Sequence, residues 1–269
     1  MNKIVVPKLV GGLGNQLFIM ASACDVAIRW NASVVFHDNP GNPHCPDDLS
    51  VSLLFPNVPI IKHIKIEGEV SGCDFTYRDI VSSIPPGSRC IFVSGYNQSP
   101  KYIPDNFCEF LKYIPTIDLG NMTNVAYLHV RRGDYVNNPY YPIDHKTYYR
   151  TAVGDVVKKN PDVKILILSD DLQWSNQNIP LILDGVINMG NFIFLHINYP
   201  ATHILKLMSR CLAGAVCANS SFSWWGAFGN RNRPIYMPHP WSSFDINPTL
   251  ELYFEGVTRV SSVTGEILL

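Results

Sequence analysis

An α/β fold with mainly parallel sheets is the class predicted by this 269-residue sequence. Short apolar runs alternate with longer stretches of helical spacing, the rhythm of strand–helix–strand units. Polar clusters fall just after the apolar runs, and in open parallel sheets ligands gather outside the carboxyl ends of the strands. Composition agrees, since 46% of residues are hydrophobic and 16% charged, which supports a sizeable core and an ordered chain. The formal net charge of -1 excludes a global basic field for nucleic acid or an anionic membrane. Any anionic ligand must therefore meet a local cationic site.

The first unit is a strand near residues 4–6, a glycine turn and a helix whose buried face carries Leu17, Met20, Ala21, Cys24 and Ile28. A strand over residues 33–36 follows. Residues 38–48, rich in Pro, Asn and Asp, read as a long loop of the kind that is often functional. A strand at Cys90–Ser94 leads through Gly95-Tyr96-Asn97-Gln98-Ser99 into a helix near residues 105–113. The polar stretch 115–123 marks a boundary, so the chain divides into residues 1–118 and 119–269.

The second half has a cleaner rhythm. A strand at Val125–Val130 precedes a helix at His145–Lys159. A strand over 164–168 ends in Ser169-Asp170-Asp171, and another spans 192–195. Pro200 opens a helix that reaches residue 212, with Ile204, Leu205, Met208 and Leu212 inward. Residues 213–218 form a strand, Asn219 to Ser223 open the next helix, and 234–237 form the last strand. The tail from residue 257 onward carries no pattern that assigns it.

Four segments bear chemistry. Gly11-Gly12-Leu13-Gly14-Asn15-Gln16 joins a strand to a helix; glycines let the backbone approach a ligand, and a helix N-terminus offers N–H groups to an anion. The segment is neither a dinucleotide fingerprint nor a P-loop, and a tight turn alone would explain its glycines. His129-Val130-Arg131-Arg132-Gly133-Asp134-Tyr135 places two arginines at a strand end. Arginine grips phosphate oxygens with a planar fork, although an ion pair with Asp134 would also account for the charge. Adjacent residues on an extended chain point opposite ways, so one arginine can hold a ligand while the other braces an acidic neighbour such as Asp171. Asp170 and Asp171 are read as hydrogen-bond acceptors in preference to metal ligands, because no D-x-D triplet occurs. Ser220, Ser221, Phe222 and Ser223 stand at a helix start, either as caps or as a phosphate cradle. Trp224 and Trp225 read as packing.

Together these segments resemble the alpha-1,2-fucosyltransferases of glycosyltransferase family 11. That family's pattern is G-G-L-G-N-Q, H-x-R-R-G-D-Y, S-D-D-x-x-W and S-S-F-S-W-W-G-A. It is matched here by Gly11 to Gln16, His129 to Tyr135, Ser169 to Trp174 and Ser220 to Ala227. The segment Gly95 to Ser99 departs from the family's G-Y-F-Q-S by having Asn97 in place of Phe. The resemblance covers the chain from residue 11 to about residue 240.

It implies a GT-B-like architecture of two facing Rossmann-like halves with a cleft between them. Residues 1–118 would take the acceptor and 119–269 the nucleotide-sugar donor. It implies GDP-fucose as donor, a galactose-containing glycan as acceptor, inversion at the fucose anomeric carbon, and no metal or other cofactor. Asn15, Arg131 and Asp134 are the catalytic set. Gly12, Gly14, His129, Arg131, Arg132, Asp170, Asp171, Ser220, Ser221, Phe222 and Ser223 are the donor-binding set. Arg131 is assigned to the pyrophosphate, Arg132 to a brace against Asp170 or Asp171, and Asn15 to the neighbourhood of the fucose. Asp134, Asp144, His145 and Asp38 are the candidate general bases, Asp134 first, and a base-poor mechanism stays open. Another nucleotide sugar, or a non-catalytic glycan-binding role, are the alternatives.

The N-terminal apolar run is too short for a signal peptide, and no window approaches the ~18 apolar residues of a membrane span. A soluble cytoplasmic protein is expected. Seven irregularly spaced cysteines without a C-x-x-C pair fit neither a zinc cage nor a disulfide framework.

Overall fold

The computed structural model describes residues 2–37, 51–141, 145–195, 197–243 and 251–268. The chain forms two units. One comprises Met1–Ile114 with the returning pieces Pro200–Thr202 and Thr249–Phe254; the other comprises Pro115–Tyr199, His203–Pro248 and Glu255–Leu269.

In the first unit, β1 (Lys3–Pro7) leads into α1 (Leu13–Trp30) and then β2 (Ala32–Val34). β3 (Phe36–His37) and β4 (Ile60–Ile61) form a separate parallel pair. β5 (Gly68–Ser71) and β6 (Cys90–Ser94) complete a parallel sheet in the order β2-β1-β6-β5. Its core packs Val5, Ile91, Val93 and Val70 against Ala23, Val26 and Ala27 of α1. Asn31 ends the helix in the left-handed region (φ 53°) and donates its N–H to the carbonyls of Ala27 and Ile28, as asparagine tolerates at a C-cap.

Three expectations change here. Ile28 is 69% exposed. The N-terminal part of α1 is buried almost all round, but in its last turns only the side bearing Ala23, Val26 and Ala27 stays covered by the sheet. The strand expected over 33–36 splits into β2 and β3. Val35 N–H still donates to Val5 O, whereas Phe36 N–H turns to Pro59 O, so the chain changes sheets between them. The helix expected near 105–113 is a 3-10 stretch, Phe107–Tyr113. Its Phe107 and Phe110, three apart, both meet Phe55 with ring centroids 5.5 and 5.3 Å away, a spacing that suits three residues per turn.

The second unit starts with β7 (Val125–Val130), α2 (His145–Lys159), β8 (Lys164–Ser169) and α3 (Leu172–Ile182). β9 (Phe192–Phe194), α4 (Ala201–Arg210), β10 (Gly214–Val216) and α5 (Ser221–Phe228) follow. β11 (Ile235–His239), β12 (Val257–Ser261) and β13 (Ile267–Leu268) end the chain. Among the described residues the sheet order is β13-β12-β11-β10-β7-β8-β9, parallel except for β13. All six residues of β7 are buried, the signature of a central strand covered on both faces. Tyr148, Tyr149, Ala152, Val153 and Val156 of α2 supply one side of that core.

α4 stops at Arg210, before residue 212. Leu212 therefore lies outside the helix, 48% exposed, with its N–H on Met122 O, while Leu207 takes the inward place. The unassigned tail is part of the sheet: β12 pairs parallel with β11, and β13 turns back on β12.

Candidate functional site

The register of the second sheet brings three distant segments together. Val130 of β7 lies opposite Ser169 of β8, so Arg131 and Arg132 leave the sheet beside Asp170 and Asp171. On the other side Val216 of β10 lies opposite Leu128, so the segment Ala218 to Ser221 emerges beside the same strand end. Carboxyl ends of parallel strands thus gather the cationic, acidic and serine clusters at one edge of this unit.

Arg131 is held from two sides. Its Nη1 meets Asp170 Oδ2 at 2.9 Å and its Nη2 donates to Asp134 Oδ1 at 2.6 Å. The guanidinium also lies 5.5 Å from the centre of the Tyr135 ring. That ring is itself fixed: it stacks on Tyr141 at 4.1 Å and 5°, and its hydroxyl donates to Asn219 O at 3.1 Å. Arg132 points elsewhere. Its Nε donates to Asp171 Oδ2 at 3.1 Å and its guanidinium lies 3.8 Å over Trp174, while its backbone N–H donates to Asp170 Oδ1 at 2.8 Å. Asp171 also caps α3, accepting from Trp174 N–H at 3.0 Å. That amide and Arg132 hold its carboxyl below the usual carboxylate range. Asp134 is the most open carboxylate of the group, its side chain 68% exposed.

His129 is buried, and desolvation together with the charge of Arg131 pushes its pKa down to about 3. The ring is neutral near pH 7. It lies 5.8 Å from Phe222, and its Nδ1 has no partner among the described residues. Asn219 donates through Nδ2 to Trp241 O at 3.1 Å, and its buried Oδ1 likewise lacks a partner. Ser220 precedes α5 in extended conformation and makes no side-chain cap. Ser223 is fully buried and its Oγ accepts from Ala218 N–H at 3.2 Å, closing the β10–α5 turn. Ser221 and Phe222 stay partly exposed. Trp224 and Trp225 are buried packing residues.

Asn15, Gly12 and Gly14 belong to the first unit. Gly11 has φ +73° and Gly12 stands at the head of α1. Gln16 braces the turn, donating to Gly11 O at 2.9 Å and accepting from Val51 N–H at 3.0 Å. Asn15 Oδ1 accepts from Gln98 Nε2 at 2.9 Å, a link between positions 83 apart that no spacing rule shows. Asp38, Asp144 and the loop 38–48 lie outside the described residues, as does the side chain of His145.

Asn97, which departs from the family residue Phe, adopts φ 50° and is fully buried. Its Nδ2 donates to Ser22 Oγ (2.8 Å) and Ser94 O (3.1 Å), and its Oδ1 accepts from Gly72 N–H (3.0 Å). Asparagine tolerates the left-handed region where bulky side chains are strained. Asn97→Phe should therefore cost about 2–4 kcal/mol, from strain and from buried groups left unpaired. The shift in urea midpoint measures it, and an unchanged midpoint would disprove it.

Residues 86–245 match the profile of Glycosyl transferase family 11. The chain belongs to that family. This family 11 glycosyltransferase is 25% identical over 289 aligned positions to an alpha-1,2-colitosyltransferase of Escherichia coli, covering 91% of this chain and 97% of that one. It is 26% identical to a galactoside 2-alpha-L-fucosyltransferase of Caenorhabditis elegans, covering 82% and 68%. A 29% identical stretch shared with the O-antigen biosynthesis glycosyltransferase WbnK of E. coli covers 51% of this chain and less than half, 45%, of that one. The heptosyltransferase WaaC of E. coli, solved with ADP, superposes with a TM-score of 0.52 at 10% identity, covering 97% of this chain and 93% of that one. The fold is GT-B-like, with two Rossmann-like parallel-sheet units.

Gly133 tests the arginine clamp of this glycosyltransferase. A Cβ added there would stand 2.6 Å from Asp170 Oδ2, so Gly133→Ala must push that carboxylate off Arg131. The expected result is a fall of about tenfold in kcat, because small misplacements of charged groups are costly in catalysis. Far-ultraviolet circular dichroism should be unchanged. Wild-type kcat would show that Asp170 does not set the geometry of Arg131.

Proposed function

We propose that the protein transfers L-fucose from GDP-fucose to the 2-hydroxyl of a galactose unit, forming an alpha-1,2 linkage with inversion. The observation that carries this reading is the fixed guanidinium of Arg131, held by Asp170 at the end of β7 beside the start of α5. A pre-set cation and helix N–H groups can take the charge that develops on a leaving diphosphate, without a metal. The relatives named for alpha-1,2-colitosyl and galactoside 2-alpha-L-fucosyl transfer support the linkage.

The acceptor oxygen attacks fucose C1 as the bond from C1 to the β-phosphate oxygen breaks, and GDP leaves with the electron pair. Arg131 binds the pyrophosphate, joined by the turn Ser220 to Ser223, while Arg132, Asp171 and Trp174 keep the neighbouring loop in place. Neutral His129 lies in the donor pocket. As the diphosphate takes up Nη2 of Arg131, Asp134 is released to accept the hydroxyl proton. Residues 119–269 serve the donor and residues 1–118 the acceptor, with Gly12 and Gly14 giving Asn15 access to the fucose. The compartment in this reading is the cytoplasm; none of the described helices is long and apolar enough to cross a membrane.

A second reading keeps the reaction and changes the sugar to colitose, as the name of the relative matched over 91% of this chain suggests. Initial rates of nucleoside diphosphate release with GDP-fucose, GDP-colitose and UDP-galactose, on galactose-terminated acceptors, decide between them. GDP-fucose should give the highest kcat/KM, undiminished by EDTA. Preference for GDP-colitose would favour the second reading, no transfer from any donor would sink both, and loss in EDTA would sink the metal-free step.

A further inference from the structure

Asn15 occupies the first turn of α1 and is partly exposed. Its amide has two orientations, one offering a carbonyl oxygen and the other an NH2 group. One neighbour sets the choice. Gln98 Nε2 donates to Asn15 Oδ1 at 2.9 Å, so the oxygen faces inward. On the other side, Gly11 makes room for Nδ2, since a Cβ there would meet it at 2.9 Å. No described protein group accepts from Nδ2, so its two N–H bonds are left for a ligand.

Gln98 is well placed to dictate this. It is 8% exposed and sits on a turn that cannot drift. Asn97 before it is tied to Ser22, Ser94 and Gly72. Ser99 after it donates its N–H to Asn97 O at 2.8 Å and accepts from Lys101 N–H at 3.3 Å. Tyr96 N–H donates to Asp74 Oδ1 at 3.1 Å. The tied turn fixes where the Gln98 side chain leaves the backbone, and its amide nitrogen faces Asn15 Oδ1.

We infer that Gln98 is a positioning residue: it locks the Asn15 amide with its NH2 outward, as a hydrogen-bond donor to oxygens of the sugar donor. This rests on the proposed placement of Asn15 near the transferred sugar. Gln98 acts only through Asn15, so the two losses must not add.

The test is a double-mutant cycle read in kcat with GDP-fucose, with urea midpoints alongside. Asn15→Ala should lower kcat about 100-fold and Gln98→Ala about tenfold, magnitudes usual for lost or loosened positioning. Gln98→Ala in the Asn15→Ala background should cost nothing further. Gln98→Glu is the sharper variant, because a carboxylate only accepts. It would take the Asn15 NH2 and turn the carbonyl outward, lowering kcat about 100-fold, like the loss of Asn15 itself, while the urea midpoint reads separately the cost of a charge at a site only 8% exposed. Additive losses in the cycle, or wild-type kcat for Gln98→Glu, would overturn the inference and leave the reading of Asn15 standing. Wild-type kcat for Asn15→Ala would overturn that reading and the inference together.

Discussion

Arg131→Ala is expected to lower kcat for fucosyl transfer by about 100- to 1000-fold, the size typical of a lost transition-state charge contact. In the proposed reaction the diphosphate gains negative charge as the glycosidic bond breaks, and Arg131, fixed at the end of β7, is the guanidinium assigned to receive it. Preorganisation gives the effect its size. Asp170 holds Nη1, the Tyr135 ring sits against the group, and that ring is pinned by Tyr141 and Asn219 O. Little reorganisation is then needed during the reaction. Arg131→Lys keeps the charge but loses the fork, so it should recover a tenth of the activity or less. Stability should move little, since Asp170 retains the Arg132 N–H and Asp134 is open to water. GDP affinity by calorimetry, kcat and the urea midpoint separate these effects. A variant with wild-type kcat would end the pyrophosphate assignment.

Arg233→Met is expected to cost about 3 kcal/mol of stability, within the range for removing one partner of a buried charged network. Arg233 is buried, and among the described residues no carboxylate pairs with it. Its Nη1 donates to Met208 O at 2.5 Å and to Cys211 O, its Nη2 to Gly226 O at 2.8 Å, and its guanidinium lies 5.2 Å from the Tyr127 ring centre. Met208 lies in the last turn of α4, Cys211 just beyond it, and Gly226 near the end of α5, where helix carbonyls carry partial negative charge. Two helix ends thus replace the missing anion. Methionine fills much of the volume but donates nothing, so three carbonyls lose their guanidinium bonds, and Met208 O keeps only Cys211 N–H at 3.3 Å. Arg233→Lys should fail almost as badly, because one ammonium cannot span carbonyls from two helices. The shift in urea midpoint reads the loss directly; a change below about 1 kcal/mol would mean that water replaces the guanidinium.

The parts of the fold legible in the sequence share one property. β7, α2 and β8 are marked by unbroken apolar runs or helical spacing with polar ends, a signal contained within the element itself. Expectations failed where a neighbour decided the outcome. Ile28 has the right spacing for burial but lies on the side that the sheet leaves uncovered at the end of α1. The strand around Val35 breaks because Phe36 finds Pro59. The tail became β12 and β13 because the edge of β11 was available to pair with.

The same division runs through the site. The sequence by itself determined which residue types stand at strand ends: two arginines, two aspartates, a serine turn and a glycine turn. Only the tertiary structure decided their partners. Arg131 took Asp170 and Asp134, Arg132 took Asp171 and Trp174, and Gln98 took Asn15. Strand order and parallel register bring positions 38 to 39 residues apart into contact across β7 and β8, and a buried turn does so for positions 83 apart. Local periodicity carries no record of such distances, because they are set by which strands pair and not by the residues within each strand.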